Sequence, residues 1–163
     1  MTREDVEMFY KQAMTYLAEK EVRKAIEFFN KALEIDDTYL PAWNDLGVAF
    51  LELEDYDQAL ICFQKVVLLE PGVPISFYNK GYVEIMLERY KDSVETFQIF
   101  LENYPQKNEF YKYALYLKAL GHYNLKEYEE AQKLLETAIK KEKTFKDARD
   151  HYITILNESK KTN

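Results

Sequence analysis

Apolar and small residues recur along this chain at the spacing of an α-helix face. The clearest stretch, residues 41–71, carries two such faces in succession, formed by Trp43, Leu46, Gly47 and Phe50 and then by Ala59, Phe63 and Val66. Steps of three and four residues place side chains on one face of a helix. No comparable stretch shows the sustained alternation of a half-buried strand. The stretch therefore predicts two antiparallel helices, joined by a short turn near Glu54 and Asp55.

The same helix pair recurs with a period of 34 residues. Phe63 aligns with Phe29 and Phe97 at this shift, and a longer step of 38 residues takes Phe97 to Leu135. Small residues recur with small ones, and bulky apolar residues recur with bulky ones. A small residue lets the partner helix approach closely, and the bulky residue fills the space beside it. The repetition predicts four helix pairs, over about residues 6–39, 40–73, 74–107 and 108–143.

The spacing W-x2-L-G-x2-F, followed by A-x3-F and a closing Pro, resembles the tetratricopeptide repeat. The second copy matches best, although Phe50 stands where that family prefers Tyr. The third copy departs further, because Lys80 takes the Leu position and Glu84 takes the position of a ring. The resemblance implies an all-α fold, a right-handed superhelical α-solenoid of four helix pairs. Stacked pairs share a core, since a single pair cannot bury its own apolar face.

Residues 144–158 continue the helical pattern beyond the fourth pair. An apolar stripe stands there among charged residues, at Phe145, Ala148, Tyr152, Ile153 and Leu156. Because the ends of stacked arrays need a polar outer face, this segment is predicted to be a capping helix. The four extra residues before the fourth copy correspond to about one helical turn. We expect them to lengthen the first helix of that pair from Asn108, with a longer loop as the alternative.

Composition is typical of one globular domain spanning residues 1–163. The chain is 47% hydrophobic and has one cysteine, which excludes an intramolecular disulfide and suits a reducing cytoplasm. No apolar run is long enough to cross a bilayer, so no membrane contact is expected.

The net charge of -7 argues against nucleic acid as a partner, because phosphate contacts need clustered Lys and Arg. That charge is uneven along the chain. Residues 1–105 carry 10 Lys and Arg against 20 Asp and Glu, a net of -10, whereas residues 106–163 carry 12 against 9, a net of +3. Ordinary solvated helix faces explain this distribution, and attraction between opposite ends of neighbouring molecules is the alternative.

Catalytic chemistry has little support among the residues present. His122 occupies a packing position, and His151 has no cysteine or matched carboxylate motif around it. Cys62 precedes the core residue Phe63 and is predicted to be packed rather than nucleophilic. No Gly-rich phosphate loop, HExxH motif or GxSxG motif occurs in the sequence. We expect a protein that is not an enzyme and that holds no cofactor and no metal.

The resemblance also implies a concave groove lined by the first helix of each pair. Its positions hold tyrosines and aliphatic residues with few charges: Tyr10, Met14, Leu17, Asn44, Val48, Leu51, Ile75, Tyr78, Tyr82, Ile85, Met86, Tyr113, Tyr116, Leu120 and Tyr123. Tyr offers a large contact area at little cost in rotamer entropy, and its hydroxyl can bond a partner's backbone. The groove therefore predicts an apolar-aromatic peptide or helix of another protein as ligand. Packing of one first helix against the next is the other explanation for these rings.

Some relatives use this groove to clamp the acidic C-terminal tails of heat-shock chaperones with Lys, Asn and Arg. The equivalent positions here hold Tyr10, Met14, Asp45, Ile75 and Asn79. Since none of these is a cation that could pair with a terminal carboxylate, a chaperone tail is not expected.

Two functions of different classes remain. The first is a cytoplasmic adaptor or scaffold that binds a partner segment in the groove. The second is a structural protein that forms homo-oligomers through charge-complementary ends or through its tail in a neighbour's groove.

Overall fold

The computed structural model describes residues 2–104 and 110–159. Over these residues the chain forms nine α-helices and no strand, which confirms the all-α fold of four helix pairs followed by a ninth helix. The helices are α1 (Arg3–Ala18), α2 (Val22–Ile35), α3 (Leu40–Glu52), α4 (Tyr56–Leu69), α5 (Pro74–Met86), α6 (Tyr90–Asn103), α7 (Tyr111–Asn124), α8 (Tyr128–Lys141) and α9 (Lys146–Ser159).

The turn inside each pair has the same backbone geometry in all four pairs. One residue at each turn is left-handed, with φ between 58° and 64°, and the four are Lys20, Glu54, Glu88 and Lys126. In the second pair the backbone N–H of Glu54 donates to the carbonyl of Leu51, and that of Asp55 donates to the carbonyl of Phe50. These two bonds form a Schellman motif, which satisfies the last carbonyls of the first helix and reverses the chain.

The helices form two compact units, Met1–Ser76 and Phe77–Asn163. In the first unit, Phe63 is fully buried against Gly47, where an added Cβ would lie 2.7 Å from the Cε1 of the ring. Trp43, predicted from the repeat to be a core residue, is only half-buried. Its indole N–H donates to the carbonyl of Asp37 at 2.7 Å, and the Lys65 ammonium lies over its ring. Since that N–H needs an acceptor, the ring lies at the margin of the core.

In the second unit, the third helix pair packs in the same way, but it has charged residues at two positions that are apolar in the family pattern. Phe97 is fully buried against Gly81, where an added Cβ would lie 2.8 Å from its ring. Where the family places a Leu and a ring, Lys80 and Glu84 form an ion pair at 2.6 Å. The ammonium of Lys80 also donates to the Thr96 hydroxyl at 2.6 Å. The two residues that depart from the family pattern therefore neutralise each other's charge.

The predicted lengthening of the first helix in the fourth pair is wrong. α7 begins at Tyr111 and has 14 residues, against 13 in α3 and in α5. The alternative, a longer loop, falls on residues 105–109, which lie outside the described residues. The proposed cap, Asn108, lies outside the described residues.

The capping helix is present, but its apolar face differs from the predicted stripe. Phe145, Ala148 and Ile155 are buried, whereas Ile153 is 56% exposed. Steps of three, four and three residues from position 145 through Tyr152 reach position 155, so Ile153 falls on a different face of the helix. α9 packs on α8 through the Tyr152 hydroxyl, which donates to the carboxylate of Glu136 at 2.9 Å.

Candidate functional site

The candidate site consists of the residues predicted to line a groove, and each unit holds seven of the fourteen principal ones. The first unit carries Tyr10, Met14, Leu17, Asn44, Val48, Leu51 and Ile75. The second unit carries Tyr78, Tyr82, Ile85, Tyr113, Tyr116, Leu120 and Tyr123, together with the exposed Met86. None of these side chains is buried, so each of them keeps surface that a ligand could contact.

In the first unit, the polar side chains at these positions form hydrogen bonds to Asp45. The Tyr10 hydroxyl donates to Asp45 Oδ2 at 2.7 Å, and the Asn44 amide donates to Asp45 Oδ1 at 2.9 Å. Burial and then the hydrogen bond to Asp45 raise the pKa of Tyr10 well above its ordinary value. The Asn44 side-chain oxygen has no hydrogen-bond partner among the described residues. Asp45 thus orients the site residues of two helices, α1 and α3, and the unpartnered Asn44 oxygen is buried beside them.

In the second unit, four tyrosines of α5 and α7 form one connected surface, here named the tyrosine cluster: Tyr78, Tyr82, Tyr113 and Tyr116. The Tyr78 ring packs against Phe97 and Phe110, with ring centroids 6.1 Å and 5.2 Å away. Burial raises the pKa of Tyr78, and the neighbouring hydroxyls of Tyr113 and Tyr82 raise it further. Tyr78 is thus held in the cluster by its two phenylalanine neighbours.

The capping helix and the residue before it contact three of the tyrosines in the second unit. Tyr113 and Tyr116 both pack against Phe145, each with ring centroids 5.3 Å apart. The Tyr116 hydroxyl lies 3.2 Å from His151 Nδ1, and the Tyr123 hydroxyl donates to Glu158 at 3.1 Å. That hydrogen bond, followed by burial, raises the pKa of Tyr123.

Tyr116 and Tyr123 therefore help to seat α9. Tyr113, by contrast, keeps 39% of its surface exposed despite its contact with Phe145.

Two acidic residues of α9 lie on the part of that helix that is close to Tyr116, and they could not be recognised as site residues from the repeat assignment. Asp147 and Asp150 are exposed, and the Asp147 carboxylate lies close enough to Tyr116 to raise the pKa of that phenol further, after burial. Continuing the 34-residue shift would have found them, because it takes Tyr113 to position 147 and Tyr116 to position 150.

The groups considered for chemistry are engaged in packing or local pairing. Burial raises the pKa of the Cys62 thiol to about 12, so it stays protonated at neutral pH. His122 Nδ1 lies 2.6 Å from the carboxylate of Glu127 at the turn between α7 and α8. Among the residues that the structure describes, no three His, Cys, Asp or Glu side chains come together as a metal site. Within the same residues, no helix combines the length and apolarity that crossing a bilayer requires.

Family models match the chain from end to end in three segments. The model of the TPR-like repeat domain of EMC2 matches residues 6–88, half of the chain. A general tetratricopeptide repeat model matches residues 76–107, and the model of the C-terminal tetratricopeptide repeat of Fis1 matches residues 112–161. The chain belongs to the tetratricopeptide repeat (TPR) family. The family resemblance stated from the residue pattern is thereby confirmed.

The sequence relatives differ in how much of their own length the match to this TPR chain covers. An uncharacterised protein of Methanocaldococcus jannaschii, MJ0572, is 33% identical over 73 residues, which cover 45% of this chain and 85% of that protein. The probable UDP-N-acetylglucosamine–peptide N-acetylglucosaminyltransferase SPINDLY of Oryza sativa subsp. japonica is 40% identical over 48 residues. That match covers 29% of this chain and only 5% of the rice protein, so the TPR chain spans a small part of the enzyme.

Solved TPR structures resemble the chain over nearly its whole length. MamA from Desulfovibrio magneticus RS-1, residues 41 to the end, superposes with a TM-score of 0.88 at 17% identity, covering 98% of this chain and 88% of MamA. YrrB, described as a TPR protein with an unusual peptide-binding site, superposes with a TM-score of 0.82 at 21% identity, covering 98% and 80%. At these identities the likeness establishes the fold alone.

Proposed function

We propose that this TPR protein is a non-catalytic adaptor that binds an apolar-aromatic peptide or helix of a partner protein. The observation that carries the proposal is the tyrosine cluster of the second unit, in which Tyr113 is exposed and the other three rings are half-buried. Rings that are already held by neighbours lose little entropy when a ligand arrives, and they provide both apolar area and hydroxyl groups. The cytoplasmic setting inferred from the single cysteine stays a prediction.

The test compares two double variants in a peptide-binding assay. Tyr82→Ala/Tyr113→Ala removes two rings from the cluster and avoids the tyrosines most engaged in packing, Tyr78 and Tyr116. The probe is a fluorescent 12-residue peptide with Phe and Leu anchors and serine elsewhere, and its affinity is measured by fluorescence anisotropy. We expect binding by the wild type that weakens at least about tenfold in the variant, since anchor residues contribute about 1–2 kcal/mol each.

The matched control changes two exposed aliphatic residues of α4 that lie outside the predicted groove. Ile61→Ala/Leu68→Ala removes comparable apolar surface, because Ile61 is 50% exposed and Leu68 is 75% exposed. The control should bind as the wild type does, and circular dichroism should show unchanged helix content in both variants. Equal loss of binding in the two variants would mean that the peptide attaches to apolar surface in general, and the proposal would be wrong.

A second candidate is self-association through the first and last helices of the described chain. The surface of α1 exposes Met8 beside Glu4, Glu7 and Lys11, and α9 exposes Ile153 about one turn from Arg149 and Asp150. Exposed apolar side chains with charged neighbours on the two helices suit a head-to-tail contact between copies. Light scattering should then show a mass that rises with protein concentration and returns to the monomer in Met8→Lys. A constant monomer mass would exclude this candidate.

A further inference from the structure

The face of α9 that borders the tyrosine cluster carries negative charge. Asp147 and Asp150 are three residues apart, so they lie on adjacent positions of one helix face, and both are exposed. His151 places this face against the cluster, because its Nδ1 lies 3.2 Å from the Tyr116 hydroxyl. Asp147 lies near Tyr116, and Asp150 is about one helical turn further along α9.

These carboxylates are not neutralised by cations of the described chain. Neither Asp147 nor Asp150 forms an ion pair within residues 2–104 and 110–158. Lys112 lies over the Tyr113 ring, 4.9 Å from its centroid, but its ammonium pairs with Glu142. Arg149 stands on another face of α9, and its guanidinium donates to the carbonyl of Lys143 at 3.1 Å.

The predicted groove positions of α5 and α7 add no charge of either sign. They hold Tyr78, Tyr82, Ile85, Tyr113, Tyr116, Leu120 and Tyr123. The surface of the second unit therefore combines an apolar-aromatic floor with an acidic border on α9. A partner with acidic residues beside its anchors would be repelled there, whereas one with basic residues would be attracted.

We infer that the segment bound by the second unit carries Lys or Arg next to its apolar anchors, positioned to meet Asp147 and Asp150. This inference rests on the proposed function and specifies the chemistry of the partner. The apolar anchors supply most of the affinity, and the charges select among segments that have such anchors. This preference is opposite to that of a groove built to clamp acidic tails.

The experiment uses three 12-residue peptides with the same Phe and Leu anchors and with two lysines, two serines or two glutamates at the flanks. At low salt, we expect the lysine peptide to bind the wild type about fivefold more tightly than the serine peptide, and the glutamate peptide to bind more weakly, as exposed ion pairs contribute modestly. Raising the salt concentration should remove these differences and leave the serine peptide unaffected.

The decisive variant is Asp147→Asn/Asp150→Asn, which should bind all three peptides within about twofold of one another. Its matched control is Asp92→Asn/Glu95→Gln, which removes two exposed carboxylates at the same spacing from the start of α6. The control changes the net charge and the acidity of a first helical turn by the same amount, but at a different helix. It should therefore retain the preference for the lysine peptide.

The outcomes separate the inference from the proposed function. If the peptides bind with equal affinity to the wild type, or if the control loses the preference as well, the inference is overturned and the adaptor function stands. If no peptide binds, or if Tyr82→Ala/Tyr113→Ala binds all three as the wild type does, the proposed function fails and the inference fails with it.

Discussion

At the scale of single residues, the closest approach between paired helices depends on a glycine. Gly47 faces the ring of Phe63, and an added Cβ would lie 2.7 Å from Cε1 and 2.9 Å from Cζ. Alanine is ordinarily better than glycine inside a helix by about 1 kcal/mol. Here the buried ring has no room to move away, so the steric contact outweighs that gain.

We therefore expect Gly47→Ala to destabilise the protein by about 1–3 kcal/mol. Gly72→Ala is the matched control, because an added Cβ there meets no atom within 4 Å. The control should be neutral or slightly stabilising, since alanine restricts the unfolded chain. Urea unfolding midpoints of the two variants check the prediction. A rise in stability for Gly47→Ala would mean that the helices separate without cost.

The two large rings of the second pair should differ in their contribution to stability. Phe63→Ala removes a fully buried ring and should cost about 3–5 kcal/mol. Trp43→Ala should cost less, about 2 kcal/mol, because the half-buried indole loses less apolar contact on truncation. The free energies of unfolding in urea give both values. Equal costs would show that Trp43 is as deeply packed as Phe63.

At the scale of helices and turns, every pair has a charged residue where glycine would be favoured. Glu54 has φ of 58°, a conformation that costs a residue with a Cβ about 1–2 kcal/mol. Glycine adopts it freely but adds about 0.5–1 kcal/mol of entropy to the unfolded chain. The net effect of removing the Cβ is therefore small and favourable.

Glu54→Gly should stabilise the protein by about 0.5 kcal/mol. Glu54→Ala removes the same charge and keeps the Cβ, so this control should show no gain. The thermal unfolding midpoints of both variants and the wild type make the comparison. An equal gain in the alanine variant would assign the effect to charge instead of backbone conformation.

The third pair holds an ion pair, Lys80 with Glu84, where the second pair has Leu46 and Phe50. The Glu84 side chain is only 3% exposed, and its Oε2 has no hydrogen-bond partner among the described residues. Removing one member of such a pair leaves an uncompensated buried charge, whereas replacing both with apolar residues is often neutral or stabilising.

Lys80→Leu should accordingly cost about 3–5 kcal/mol. The double variant Lys80→Leu/Glu84→Phe, which installs the residue types of the family pattern, should return to within about 1 kcal/mol of the wild type or exceed it. Unfolding free energies of the single and double variants test this non-additivity. Costs that simply add would contradict the compensating role of the pair.

At the scale of the whole molecule, half-buried carboxylates join the last helices to one another. The Tyr152 and Gln132 side chains hold the pKa of Glu136 below its ordinary value of 4.5, and Lys112 does the same for Glu142. A carboxylate whose pKa is depressed in the folded state contributes stability above its unfolded pKa. That contribution is lost as the pH falls through the folded pKa.

We expect the melting temperature of the wild type to fall as the pH drops below about 4.5. The variant Glu136→Gln/Glu142→Gln should melt below the wild type at pH 7, and the difference should shrink as the pH falls through the folded pKa values of the two carboxyls, which lie below 4.5. Thermal melts at several pH values show this convergence. A difference that stays constant with pH would mean that the two carboxylates act through packing alone.

Much of the fold could be predicted from the residue pattern, because small and bulky residues such as Gly47 and Phe63 recur at a fixed period. The left-handed turn residues could not be predicted, since Lys20 and Glu54 are not residues that usually adopt that conformation. The exposure of Trp43 also escaped the pattern, because alignment shows which residues share a position and does not show how deeply each is packed. The single domain inferred from composition stays a prediction.

For the candidate site, the sequence by itself determined which residue types occupy the first helix of each pair, since helical spacing is a local property of the chain. Only the tertiary structure decided what those residues do. Tyr116 meets His151, and Tyr123 meets Glu158, across 35 residues of chain. Such contacts depend on how α9 packs against α7. The repeat period could have pointed to positions 147 and 150, but only the packing of α9 shows that Asp147 lies near Tyr116, because a period aligns positions and does not show which side chains meet.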